Sequence, residues 1–232
     1  MTEPLLPLEK ILLARDTDIS QRADLGESLF QTYQGIVQYL RRDVYPLIDA
    51  GLAALSEGGG FFTLHNGSHF DEVVKYAGLL LGCRDGSEDL RLLSAYELYV
   101  LLVAIRVHDA GNAYGREEHE KRAFQILQEM GALSGPDNIE KKMIADIAEA
   151  HGGKTPDGSK DTIGALRDPA HSGSEILRPR LLAAITRFAD EICESRPRAA
   201  NLLLKGGALP KQSEVFHKRS VSTILRLLDD RI

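Results

Sequence analysis

Apolar residues return at three- and four-residue steps along most of this 232-residue chain. Between Ile19 and Leu52 the positions Leu25, Leu29, Tyr33, Ile36, Val37 and Leu40 mark one face of an amphipathic helix. Pro46 is expected to interrupt or restart that helix, since its nitrogen carries no proton. Ser56-Glu57-Gly58-Gly59-Gly60 ends it, because three successive glycines cost too much backbone entropy to stay helical. The pattern predicts a second helix over 68–81, closed by Gly82. Ser94 with Glu97 three residues on is a capping-box pair, so a third helix starts there and runs through LYVLLVAIRVH. Gly111–Gly115 breaks the pattern, which resumes over 117–130, 138–150 and 172–194 and, more faintly, over 213–228. Gly152–Pro169 reads as a long loop, and Phe61-Phe62-Thr63-Leu64 is the one short strand-like run. The expected fold class is all-α, a helical bundle of residues 56–232 with an N-terminal helical segment, 1–55, packed on it.

Composition narrows the functional classes. With 43% hydrophobic and 27% charged residues the chain reads as an ordinary globular protein. Its 28 Lys and Arg against 34 Asp and Glu give a net charge of −6, which argues against nucleic acid held by a broad basic surface. Cys83 and Cys193 form no CxxC pair, so reduced thiols of a cytoplasm fit better than a disulfide framework or a zinc knuckle. MTEPLLPLEKILLARD places Glu3, Glu9 and Lys10 around a short apolar run, unlike a signal peptide. No run approaches the roughly 18–20 apolar residues of a membrane span, so a cytoplasmic location is expected. The closing LRLLDDRI shows no helix stop, the pattern of a chain that continues.

The candidate chemistry lies in the placement of histidines beside acids. His108-Asp109 closes the most apolar helix and is followed at once by Ala110-Gly111-Asn112. Imidazole nitrogen and carboxylate oxygen released together at a turn suit Mn, Fe, Co, Ni or Zn, whereas carboxylates alone suit Mg. By itself such a pair reads as a helix cap. His69 opens the helix before it, and Asp190 lies in RFADEIC, among Ile185, Phe188, Ala189 and Ile192, where a carboxylate is costly to bury without a partner or a cation.

That order, His…His-Asp…Asp on helices from Phe61 to Arg198, resembles the HD-domain metal-dependent phosphohydrolase superfamily. FTLHNGSHFDEV is further similar to HD domains of bacterial chains that also carry an Hsp90-like ATPase domain. The resemblance implies an HD-type bundle in which His69, His108, Asp109 and Asp190 hold one divalent metal. His119 and His151 match positions that hold a second metal in the binuclear members; as residues they equally cap helix ends. His65 is then a substrate-phosphate contact, an orienting group or a structural loop residue, with the exchange of ligand roles between His65 and His69 left open. His171 reads as a solvated loop residue. Where the superfamily commonly has His-Asp-x-Gly-Lys, this chain has Asn112, which brings no charge to a phosphate. That leaves charge neutralisation to the metals, or to Lys154, Arg187, Arg196 or Arg198, Arg by bidentate contact. His151-Gly152-Gly153-Lys154 departs from the signature of HD-type cyclic di-GMP phosphodiesterases.

The resemblance therefore implies hydrolysis of a phosphomonoester or phosphodiester, such as a nucleotide, by water activated on one or two divalent ions (Mn, Fe, Co, Ni, Mg or Zn). Asp109 would be the shared ligand and, with His119 and His151, the catalytic group; with one metal, the two histidines would bind phosphate or transfer protons. Two other classes stay open: a non-catalytic HD-fold signalling or interaction module, and a single-strand nuclease. The acidic charge and few aromatics weigh against the nuclease. The expected partner is a small phosphate ester, with no membrane, and homo-oligomerisation is left open.

Overall fold

Helices make up nearly all the regular structure of the computed structural model, which describes residues 4–16, 28–48, 67–115, 117–135, 137–172, 175–193, 205–207 and 211–222. In chain order they are α1 (Pro7–Asp16), α2 (Leu29–Tyr39), α3 (Gly67–Leu80), α4 (Ala95–Val107), α5 (Ala123–Glu129), α6 (Asn138–Glu149), α7 (Pro179–Ile192) and α8 (Lys211–Ser222). Short 3-10 turns at Ala110–Tyr114, His119–Arg122 and Gly131–Ser134 connect α4, α5 and α6. The all-α class expected from the sequence is the class observed. Among the described residues no helix is long and apolar enough to cross a membrane.

Several boundaries differ from expectation, each for a local reason. Pro46 does not break the helix expected around it: α2 passes through a π-helical stretch, Leu40–Val44, into helical residues 45–48. There the Tyr45 N–H reaches back five residues to the Leu40 carbonyl, and the wider turn accommodates a residue with no N–H to give. Gly111–Gly115 is not an open break but mostly a 3-10 turn. The helix expected over 117–130 is split into the His119–Arg122 turn and α5, entered through Glu118 in the left-handed region (φ 51°). The helix expected from 172 starts at Pro179, and β1 (Ala170–Ser172) and β2 (Glu175–Leu177) form an antiparallel hairpin before it. Pro at the first helical position fixes that start. Strands of three residues are too short to show an alternating pattern. The glycine stop at 56–60, the run Phe61–Leu64 and the residues at 19–27 lie outside the described residues.

The apolar run LYVLLVAIRVH becomes the axis of the bundle. Every residue of α4 from Tyr96 to Val107 is buried, because α1, α2, α3, α6 and α7 all pack against it. Each Leu, Ile or Val so placed contributes about 1.5–3 kcal/mol relative to exposure. Its start is a capping box: the Ser94 hydroxyl accepts from the Glu97 N–H, and Glu97 accepts from the Ser94 N–H, both at 3.0 Å. The Arg178 guanidinium donates to the same carboxylate at 2.6 and 2.8 Å, which fastens the N-terminal end of α7 to that of α4.

Arg106 is the exception in this apolar helix. It is fully buried, and such a charge survives only when paired. Its guanidinium donates to Glu9 of α1 (2.7 Å), to the Tyr33 hydroxyl of α2 (2.9 Å) and to Asp71 of α3. Arg41 also donates to Asp71, at 2.9 and 3.1 Å. Asp71 stands two residues after His69, and Arg106 two residues before His108. This one ionic cluster therefore sets the relation between the two histidine-bearing helices.

Candidate metal centre

Four helices and two turns deliver the histidines and aspartates to one place. His69 sits in the first turn of α3, and His108 is the C-cap of α4. Asp109 follows with φ −108° and ψ 4°, a bridge-region conformation that turns the chain sharply into Ala110–Tyr114. His119 opens its own 3-10 turn, His151 follows the C-cap of α6, and Asp190 lies in the last turn of α7. Asn112 donates to the Asp109 carbonyl from both its backbone and its side chain, at 3.1 and 2.9 Å. It is buried and locks the turn, which makes it a structural residue in the place where the superfamily commonly has Lys.

Asp109 presents its two oxygens to two different groups. Oδ2 faces His69 Nε2 at 3.8 Å and His108 Nε2 at 3.7 Å, and both imidazoles also face Asp190 Oδ1, at 3.2 and 3.7 Å. Oδ1 faces His119 Nε2 at 2.9 Å and His151 Nε2 at 3.4 Å. Ligand atoms of His69, His108 and Asp190 lie within 4.8 Å of one another, as do those of His108, Asp109 and His151.

Hydrogen bonds behind the rings aim the nitrogens. His108 Nδ1 is 2.7 Å from the Ile105 carbonyl and His151 Nδ1 is 2.6 Å from the Ala148 carbonyl, so each ring keeps its proton there and turns Nε2 toward the carboxylates. His69 Nδ1 contacts the buried Cys193 thiol at 3.8 Å. Phe70 packs its edge on His108 and stacks on Tyr45, giving the centre an apolar wall.

The donor set fits a divalent cation. Among the described residues His108 Nε2 is buried with no hydrogen-bond partner, an expensive state for a polar atom unless something else takes its lone pair. Burial works against a charged His108, yet Asp109 and Asp190 outweigh it and raise its pKa above the ordinary value. Burial likewise pushes the two carboxyls up. His108, helped by His119 and His151, nevertheless holds Asp109 well below the usual carboxylate range, and His108 with His69 does so for Asp190. Anionic oxygens facing imidazole nitrogens are the ligand chemistry of Mn, Fe, Co, Ni and Zn. The histidines and Asp109 are largely enclosed, while the Asp190 side chain keeps 22% of its surface.

The candidate substrate contacts are more scattered. Lys154 is exposed in the turn after His151, and Arg187 is half-buried one turn before Asp190. His65, Arg196 and Arg198 lie outside the described residues. His171 is an exposed hairpin residue that lines a separate cleft of about 470 Å³ with Ile139, Met143 and Leu166. Sequence reasoning missed Glu9, Asp71 and Arg106, although an Arg inside LYVLLVAIRVH was a usable signal. It also missed Glu120, whose carboxylate lies 3.2 Å from His119 Nδ1.

No curated protein and no solved structure matches the chain. A family model described as HD-CE matches residues 60–231, a span that holds all the residues of the centre and most of the sequence. The chain therefore belongs to the HD-CE family.

Proposed function

We propose that this protein is a metal-dependent phosphohydrolase that cleaves a phosphomonoester or phosphodiester, with nucleotides as the substrate class the superfamily resemblance suggests. The observation that carries the reading is the two-sided Asp109 carboxylate, with His69 and His108 about one oxygen and His119 and His151 about the other, while Asp190 faces the same two rings as the first oxygen. A divalent cation bound there supplies Lewis acidity at phosphoryl oxygens and a water ionisable near neutral pH. The chain's own residues do the rest. Asp109, held by Asn112 and the bridge-region turn, keeps one carboxylate available to both sides. His119 and His151 either complete a second cation position or, with one cation, offer imidazoles to a phosphate oxygen or a proton.

Lys154 is the described cation best placed in sequence to meet a phosphate, with His65, Arg196 and Arg198 proposed beside it. Two buried cysteines kept as thiols, Cys83 and Cys193, agree with a reducing, cytoplasmic setting. A tie to an Hsp90-like ATPase domain rests on FTLHNGSHFDEV alone.

Metal content, followed by phosphate or nucleotide release with Mn, Mg, Co and Ni, tests the proposal. The panel contains mononucleotides, cyclic dinucleotides and single-stranded RNA and DNA. Expected is turnover of a small phosphate ester that falls at least about 10³-fold in Asp109→Ala, in line with loss of a group acting in the transition state. Bound metal without turnover on any substrate would make the chain a non-catalytic module, and cleavage confined to strands would make it a nuclease.

A further inference from the structure

The imidazoles of the centre are not all supported in the same way. His108 and His151 follow helix C-termini and use a carbonyl three residues back, within their own helix. His119 stands instead at the start of its 3-10 turn, with a carboxylate beside its ring. Glu120 Oε2 lies 3.2 Å from its Nδ1.

Glu120 is itself held in place. A Cβ built on Gly153 would lie 2.8 Å from Glu120 Oε1, 3.3 Å from its Cγ and 3.4 Å from its Cδ, so the acid fills the space that the missing side chain leaves. Gly153 has φ +68°, in the left-handed region that favours glycine. It lies two residues after His151. The Glu120 side chain, only 15% exposed, is thus wedged between the His119 ring and the turn that follows His151.

We infer that Glu120 is the positioning residue of the second cation position, holding His119 with its proton on Nδ1 and its Nε2 toward Asp109. The inference rests on the two-cation form of the function proposed above. A carboxylate behind an imidazole fixes its tautomer and strengthens it as a donor, and loss of such support typically weakens metal affinity about 10–100-fold. Gly153 serves as the seat of the carboxylate, which gives the second glycine of His151-Gly152-Gly153 a role that phosphate contact did not supply.

The test is titration of the full metal-free chain with Co(II), reading the visible d–d absorption of each equivalent, for wild type, Glu120→Gln and Glu120→Ala. Glu120→Gln keeps an acceptor oxygen and loses the charge; Glu120→Ala loses both. Circular dichroism and thermal melts of the metal-free proteins establish equal folding. Expected is an unchanged first equivalent and a second equivalent weakened about 10-fold in Gln and about 100-fold in Ala, with an altered second spectrum. A wild type that takes two equivalents, with variants that match it, overturns the inference and leaves the two-cation reading standing. Equal weakening of both equivalents also overturns it, since the effect would not be local to His119. A wild type that takes fewer than two equivalents overturns the two-cation reading itself, and the assignment with it.

Discussion

A Cβ placed on Gly111 would lie 1.9 Å from the carbonyl oxygen of His119 and 2.7 Å from Cβ of Arg122. No rotamer change relieves a clash with backbone, so any side chain there must push the His119–Arg122 turn away from the turn that follows Asp109. The 2.9 Å approach of His119 Nε2 to Asp109 Oδ1 depends on that contact. Gly111→Ala is expected to cost about 1–3 kcal/mol of stability, the range for forced overpacking. It should also cost more activity than that loss explains. Urea denaturation measures the first quantity and turnover at saturating Mn the second; a variant with unchanged stability and turnover would show that the turns are not tightly apposed. Glu118, next to His119 and left-handed at φ 51°, is the second backbone feature that aims this ring, since non-glycine residues seldom adopt that conformation without a surrounding reason.

Among the elements, α4 was the most legible in the sequence and the hairpin the least. The Ser94–Glu97 pair marked the first residue of α4, and an unbroken apolar run announced a helix buried on every side. Glu97 carries a second duty that no local pattern reveals: it receives Arg178 from a residue 81 positions away. Burial pushes the Glu97 carboxyl up, but hydrogen bonds from Arg178 and Ser94 more than compensate and lower its pKa below the ordinary value. A depressed carboxyl stabilises the fold fully above its unfolded pKa, about 4.3, and that contribution disappears as pH falls through the lower folded value. Glu97→Gln should therefore lose about 1–3 kcal/mol at pH 7, the worth of a charge-assisted hydrogen bond. The gap between variant and wild type should close progressively below about pH 4.3. Chemical denaturation from pH 3 to 7 reads this directly, and a gap constant across that range would exclude the carboxylate as its source. The β1–β2 hairpin and the π-helical passage before Pro46 stayed illegible because each is set by a few residues, below the length at which a period can show.

At the scale of the molecule, two clusters hold α3 and α4 together, and they differ in what they need. The Arg106 cluster joins α1, α2, α3 and α4 with the protein's own charges. The candidate metal centre faces histidines and carboxylates from α3, α4, α7 and the ends of the connecting turns toward one another. Its residues were legible from their order along the chain, whereas Glu9 was not, because nothing local ties a surface-looking acid in α1 to an arginine 97 residues away. A cation should thus stabilise a bundle that is already folded without it. At a free concentration a hundred times its dissociation constant, a ligand that binds only the native state adds about 2.7 kcal/mol. For a domain of this size each kcal/mol moves Tm by about 2–4 °C, so a chelator should lower Tm by about 5–11 °C while leaving one cooperative transition. Back-titration with Mn should restore it, and Asp109→Ala should respond weakly to either treatment. Scanning calorimetry with and without chelator distinguishes the outcomes. An unmoved Tm would mean that no cation links these helices, whereas loss of the transition on chelation would mean that the Arg106 cluster cannot hold the bundle alone.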